Sequence, residues 1–391
     1  MEKRLREIII SITNRCNLRC AMCEIPQRQS NVEMSTEEVR ELIRDAANLS
    51  PDNIVFSGGE PLLRKDLFEL ISFANQRKIN TCLTSNGTLI NEQMAKNLFS
   101  SGISVVNISI EGPEGIHDSL RGKGAFRKAI RALEQLSKHK IETTLATIVC
   151  RQNYKSLAYV MELAHRYGVT TVKFQPFSEI FLIKKDRKED FLCPNDILGE
   201  INLSIERVVK LSEEYKIATN PLGYLYSVPL YLCGLKQEYH KVNCPALWAS
   251  CPITAEGDLY PCWVLSGKIL GNIKKNRLSE IWNSEAHNRM RQLITEEGCF
   301  GCLMSCYDSN LGIDEFRRLV YFKVKKLRKP KFYKRQSYRM YQYIKYMSNK
   351  IIHRIGNSNC FRKKYTPHIE RVLGEIQTAK DMLIKELKSQ R

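Results

Sequence analysis

Between residues 7 and 174 short apolar runs rich in β-branched side chains alternate with longer stretches whose apolar residues recur at helical spacing. That rhythm predicts βα units around a parallel sheet. Six strands are predicted, at 7–13, 53–56, 80–84, 104–110, 142–149 and 171–174, with helices at 36–49, 65–77, 91–101, 125–139 and 153–167. In the first helix Val39, Leu42, Ile43 and Ala46 share a face, and Ser35 with Glu38 three residues on forms a capping box that starts it. Six such units closing toward a barrel place the loops that follow the strands on one face, where function in these folds collects.

After Gln175-Pro176 the alternation stops. Residues 184–190 are charged and read as a solvated connection, and 194–215 read as a long helix. The stretch 244–307 is turn-rich and dense in cysteine. It carries a hairpin signal at Glu256-Gly257-Asp258 between 252–255 and 259–264, and a helix at 284–294. The predicted fold class is α/β: a partial (β/α)6 TIM-like barrel over 1–180, a helical connection over 181–243, a small cysteine-rich domain over 244–310 and a basic, aromatic-rich helical tail over 311–391.

Composition narrows the class. A chain of 391 residues, 43% hydrophobic and 26% charged, is a soluble globular protein of two or three compact units, which excludes a single small module and global disorder. No apolar run approaches the roughly 18 residues of a membrane span, and the charged N-terminus leads into a run too short for a signal segment, so the protein is expected in the cytoplasm. Lys and Arg number 61 against 42 Asp and Glu, a net charge of +19. Residues 311–391 hold 22 of those bases and 6 of those acids, so the tail carries +16 and marks a boundary near residue 310.

Fourteen cysteines in a cytoplasmic chain call for metal or redox chemistry rather than disulfides. Cys16, Cys20 and Cys23, spaced C-x3-C-x2-C, share the loop after the first strand. Three thiolates at that spacing hold three irons of a cubane and leave the fourth open, whereas tetrahedral zinc wants a fourth partner; the nearby Glu24 is a hard ligand. The second group comprises Cys244, Cys262, Cys299 and Cys302, with Cys251 and Cys306 as spare candidates, and suits either an iron–sulfur cluster or a structural zinc. Cys82, Cys150, Cys193, Cys233 and Cys360 read as small buried hydrophobes.

Four features in order resemble a radical S-adenosylmethionine enzyme: the triplet after the first strand, Ser57-Gly58-Gly59-Glu60-Pro61 after the second, Thr84-Ser85-Asn86-Gly87-Thr88 after the third, and Ser109-Ile110-Glu111-Gly112-Pro113 with His117-Asp118 and Arg121-Gly122 after the fourth. Departures are Met22, where the family commonly has an aromatic residue, and Glu111, where it usually has Asp. The segment from Cys244, with Gly257-x4-Cys262, Gly271-Asn272-Ile273 and Ile281-Trp282, is similar to the auxiliary-cluster extension called SPASM, shortened to one cluster.

The resemblance implies a [4Fe–4S] cluster with an open site on Cys16, Cys20 and Cys23, and one auxiliary [4Fe–4S] cluster on Cys244, Cys262, Cys299 and Cys302. It implies S-adenosylmethionine against Gly58, Gly59, Glu60, Asn86 and Ser109, and its reductive cleavage to a 5′-deoxyadenosyl radical that takes hydrogen from an unactivated C–H bond. Lys173, Gln175 and Arg121 are candidates to touch the substrate. The leading reading is oxidation of a small molecule, such as a sugar, an alcohol or a lipid-linked compound, with the auxiliary cluster accepting an electron. A peptide maturase is the alternative, and a nucleic-acid-binding protein with structural zinc sites is the second. A donor such as flavodoxin or ferredoxin is the implied redox partner, and no DNA is expected. The tail interleaves its charge with eleven Phe and Tyr, including Tyr338, Tyr341, Tyr343 and Tyr346, a mixture that suits either a solvated helical appendage or a binding surface, and as a binding surface an anionic membrane ahead of RNA.

Overall fold

The computed structural model describes residues 4–28, 32–234, 245–265, 267–297 and 302–304. Cys244, Cys299, Cys306, Cys360 and the tail, Tyr338, Tyr341, Tyr343 and Tyr346 included, lie outside them.

Six parallel strands, β1 (Glu7–Thr13), β2 (Asn53–Gly58), β3 (Asn80–Ser85), β4 (Val105–Ser109), β5 (Glu142–Val149) and β6 (Thr171–Pro176), stand side by side in sequence order. The register Val55↔Cys82↔Val105 and Asn107↔Thr144 puts alternate residues on one face. Ile8, Ile10, Ile54, Phe56, Leu83, Val106, Ile108, Leu145, Val172 and Phe174 form the other, apolar face, all at 0% exposure. Helices cover that face: α1 (Thr36–Ala46), α2 (Leu67–Asn75), α3 (Glu92–Ser101), α4 (Glu114–Arg121), α5 (Ala125–Lys138) and α6 (Leu157–Arg166). Every strand pairs in parallel with its neighbour through a crossover, the partial (β/α)6 barrel that the alternation predicts. The capping box forms as read: Glu38 N–H donates to the Ser35 hydroxyl and Ser35 N–H to the Glu38 carboxylate, at 3.2 and 2.7 Å.

Beyond the barrel come α7 (Leu198–Glu214), α8 (Leu222–Leu232) and the short α9 (Ala246–Ala249). Then β7 (Ser250–Ile253) pairs in parallel with β1 on the side opposite β2. The predicted hairpin follows, with β8 (Asp258–Leu259) antiparallel to β7, then β9 (Gly271–Asn272), α10 (Leu278–Trp282) and α11 (Glu285–Glu297). Sequence patterning treats this stretch as a separate lobe, whereas its three strands extend the barrel sheet from six strands to nine. Cys251 sits opposite Ile8 in that pairing, fully buried on the helix-facing side. Among the described residues no helix is long and apolar enough to cross a membrane.

One buried guanidinium ties the carboxyl ends of the first strands together. Arg64, 7% exposed, donates to the Ile12 and Met34 carbonyls at 2.9 and 2.8 Å and to the Asp66 carboxylate at 2.9 Å. Removing one side of a buried charged pair leaves the other unpaired. Arg64→Met is expected to lower the unfolding free energy by about 3 kcal/mol, read from the shift of the urea midpoint.

Candidate functional site

The inward side chains of the six strands, apolar ones such as Ile9, Val55, Val105 and Ile148 among polar ones, line a cavity of about 630 Å³. Its wall takes Ser57 from β2, Thr84 from β3, Asn107 and Ser109 from β4, and Lys173 and Gln175 from β6. At its mouth stand Cys16, Cys20, Met22 and Cys23, on the loop that leaves β1.

That loop is held by backbone and polar groups from all around. Gly59 N–H donates to the Thr13 carbonyl at 2.7 Å and Glu60 N–H to the Arg15 carbonyl at 2.8 Å. A side chain on Gly59 would put its Cβ 2.2 Å from the Arg15 oxygen, and Gly58 has a φ of +122°, so only glycines let strand β2 come this close. The family resemblance places S-adenosylmethionine against this glycine pair. The structure adds another reason, since the cysteine loop itself fills that space, while both glycines still line the cavity.

Asn86 Nδ2 donates to Asn17 Oδ1 at 2.9 Å and lies 3.9 Å from Cys16 Sγ. Asn17 Nδ2 in turn donates to the Thr88 hydroxyl at 2.8 Å. Glu60, read as a cofactor contact, is fully buried and does not line the cavity. Its carboxylate accepts from Asn86 N–H and the Ser85 hydroxyl, both at 2.9 Å, and so positions the Asn86 turn. Burial pushes its carboxyl up to about 7.

Glu24 is equally committed. Its carboxylate accepts from the Ile183 and Lys184 N–H groups at 2.5 and 2.9 Å and from Arg187 at 3.1 Å, contacts that hold its carboxyl below the usual range. It is therefore no fourth ligand to the triplet. The charged stretch 184–190 keeps Lys184, Asp186, Glu189 and Asp190 exposed, as expected of a solvated connection, and also acts as a strap, since Arg187 reaches the Ala21 carbonyl at 3.3 Å. From the auxiliary lobe, the Glu256 carboxylate accepts from Asn14 Nδ2 at 2.7 Å.

Glu111 and Arg121 form a buried pair. Arg121 Nε and Nη2 lie 2.7 and 2.5 Å from Glu111 Oε1, and Glu111 Oε2 accepts from Ile148 N–H at 2.8 Å. Glu111 is thus spent on protein partners, and Arg121, which lines the cavity, is held by Glu111. His117 Nδ1 accepts from Glu111 N–H at 3.2 Å.

Cys16, Cys20 and Cys23 are free of disulfides, and burial pushes all three thiols up. Three soft donors on one loop, with the neighbouring carboxylate engaged elsewhere, fit a cubane held on three corners. In the auxiliary lobe Cys262 is buried in an apolar cluster with Ala246, Leu247, Ile294 and Met304, against which Cys302, Ile180 and Phe181 pack. Two of the four expected auxiliary ligands therefore come together, while Cys251 stays with Ile8 in the sheet. Cys150, Cys193 and Cys233 are buried as read, but Cys82 lines the cavity, its thiol pushed up to about 12 by burial. Phe181 and Met304 also line it, and sequence reasoning singled out neither, because both sit outside the barrel alternation.

The radical SAM superfamily matches residues 10–164, and an iron–sulfur cluster-binding domain, SPASM, matches residues 244–306. The chain is similar to the Fe-coproporphyrin III synthase of Methanosarcina barkeri, with 33% identity over 306 residues, 73% of this chain and 75% of that protein. It is also similar to the mycofactocin maturase MftC of Mycolicibacterium smegmatis, with 27% identity over 300 residues and 74% of each chain. Among solved structures, Streptococcus suis SuiB bound to its precursor peptide SuiA shares the fold with a TM-score of 0.61 at 18% identity, covering 85% of this chain and 75% of that one.

Two outcomes are expected. Gly59→Ala displaces the cysteine loop, so the purified protein should lose about four irons per chain by metal analysis while its circular dichroism stays that of the folded barrel. Burial holds His117 neutral, with a pKa pushed down to about 3 from 6.5. The unfolded chain therefore takes up a proton that the folded one refuses. This contribution to stability is full above about pH 6.5 and is lost as the pH falls toward 3, and His117→Gln should flatten the acid limb of a melting-temperature profile.

Proposed function

The chain belongs to the radical S-adenosylmethionine superfamily and carries the SPASM iron–sulfur extension, and we propose that it applies radical chemistry to a peptide, as a maturase. Its cofactors are a [4Fe–4S] cluster, S-adenosylmethionine and an auxiliary cluster. Cys16, Cys20 and Cys23 would hold the first, and Gly58, Gly59, Asn86 and Ser109, which line the cavity beside them, would face the cofactor. Held there, the cluster and S-adenosylmethionine would supply the one-electron chemistry that takes hydrogen from an unactivated C–H bond.

The observation that carries the substrate reading is the size of the chamber. A cavity of about 630 Å³ takes one cofactor-sized molecule and leaves room for a group the size of a side chain. The rest of the substrate then stays outside, which suits a peptide presenting one residue. Lys173, Gln175 and Asn107 would orient that residue from the barrel, and Phe181 and Met304 would close the chamber against water from the auxiliary side. The family resemblance read from sequence puts a small molecule, lipid-linked compounds included, first and a peptide second. The likeness to a maturase over three-quarters of the chain favours the reverse order. A second reading, a tetrapyrrole presenting one side chain, is favoured by the 33% identity to Fe-coproporphyrin III synthase.

The test is anaerobic incubation of the iron-loaded protein with S-adenosylmethionine, dithionite and either short peptides encoded beside it or iron coproporphyrin. 5′-Deoxyadenosine formation should rise with a peptide, which changes in mass. A response to the porphyrin alone would replace this reading with the second. Cys16→Ala with Cys20→Ala and Cys23→Ala should abolish 5′-deoxyadenosine. Cys262→Ala with Cys302→Ala should cost about one cubane of iron and stop peptide conversion while cofactor cleavage continues. Loss of zinc in place of iron from that variant would make the second site structural.

A further inference from the structure

The loop that carries the triplet meets the end of α4 at two points: Ala21 N–H donates to the Leu120 carbonyl at 2.7 Å, and Cys20 Sγ lies 3.9 Å from the Arg121 carbonyl. The Arg121 side chain, 13% exposed, lines the same cavity mouth as the three thiols. It arrives there through a bond to Glu111, which is fully buried, fixed by Ile148 N–H at 2.8 Å and carried on a backbone that His117 and Asn153 grip at 3.2 and 3.0 Å. A guanidinium stays charged at any working pH, so burial gives this site a permanent cation that solvent screens little.

We propose that Arg121, positioned by Glu111, sets the reduction potential of the cluster on Cys16, Cys20 and Cys23, acting as a fixed positive charge beside its ligands. The inference rests on the triplet holding a cluster. Reduction adds one electron to a cluster whose three protein ligands are anionic, and the added charge is costly in a buried site. A nearby cation lowers that cost and raises the potential, since net charge, hydrogen bonding and exposure are what tune such clusters. Of the charged side chains that line the cavity, Glu7, Arg121 and Lys173, Arg121 stands at the end of the helix that meets the triplet loop at Ala21 and Cys20. Glu111 has two effects of opposite use, aiming the guanidinium and cancelling part of its charge. The pair is a positioning and tuning device rather than a contact to substrate.

Opposite signs test this. In an anaerobic redox titration of the iron-loaded protein without S-adenosylmethionine, followed by the electron paramagnetic resonance of the reduced cluster, Arg121→Met should lower the midpoint potential. The oxidised-to-reduced ratio at fixed potential should rise at least tenfold, which is 59 mV for a one-electron couple. Arg121→Lys, which keeps the charge, should stay near the wild type, and Glu111→Gln should shift the potential upward. General damage to the site would move Arg121→Met and Glu111→Gln the same way, and that result, or no shift in either, overturns the proposal. Should Arg121→Met fail to hold iron, Glu111→Gln decides: an upward shift supports the proposal and an unchanged potential overturns it. A wild-type protein without iron would overturn the cluster assignment itself, seen by metal analysis before any titration, and this inference with it.

Discussion

A loop that must offer three thiols to a buried metal site has little room for a core of its own. From Asn14 to Cys23 it contributes Leu18, Ala21 and Met22 as its only apolar residues besides the cysteines. Its position is consequently borrowed. The Gly59-Glu60 backbone after β2, the Asn86 turn after β3, the end of α4 after β4, the strap after β6 and the hairpin of the auxiliary lobe each supply one or two hydrogen bonds. Each bond contributes on the order of 1 kcal/mol, so the loop's geometry comes from their convergence rather than from any one of them.

That dependence explains why the motifs occupy successive strand ends. A parallel sheet delivers all its carboxyl ends to one edge, and the first of them carries the thiols. Motif residues that look like ligand contacts in sequence divide in the structure into two kinds. Gly58, Gly59, Asn86 and Ser109 line the cavity, whereas the carboxylates of Glu24, Glu60 and Glu111 turn into the protein and hold neighbouring segments. Buried carboxylates are stable there because each accepts several N–H or O–H bonds.

The barrel was legible because its strands are apolar or β-branched and its helices have one clear apolar face. The ends of β1 and β5 match the alternation to the residue. Three things were not legible, each for a physical reason. Helix α4 is eight residues long and has Ile116 and Leu120 as its only large apolar side chains, too few to establish a helical period in sequence. Helix α8 is buried nearly all round and contains Pro229, which removes both the amphipathic signal and the usual helix chemistry. The strap at 184–190 is rich in charge, which normally marks a solvated face. Its role comes from Glu24, a partner some 160 residues earlier that local patterning does not connect to it.

The parallel pairing of β7 with β1 also bears on how the chain can be divided. Ile8, Ile9 and Ile10 are flanked by β2 on one side and by residues 251–253 on the other. A protein cut back to its barrel alone would leave β1 as an exposed edge with three consecutive isoleucines and unpaired backbone groups, the kind of edge that recruits strands from other molecules. The auxiliary lobe therefore serves as a solubility cap for the strand that leads into the cysteine loop, and dissecting this enzyme into a minimal radical domain would yield aggregates before it yielded chemistry.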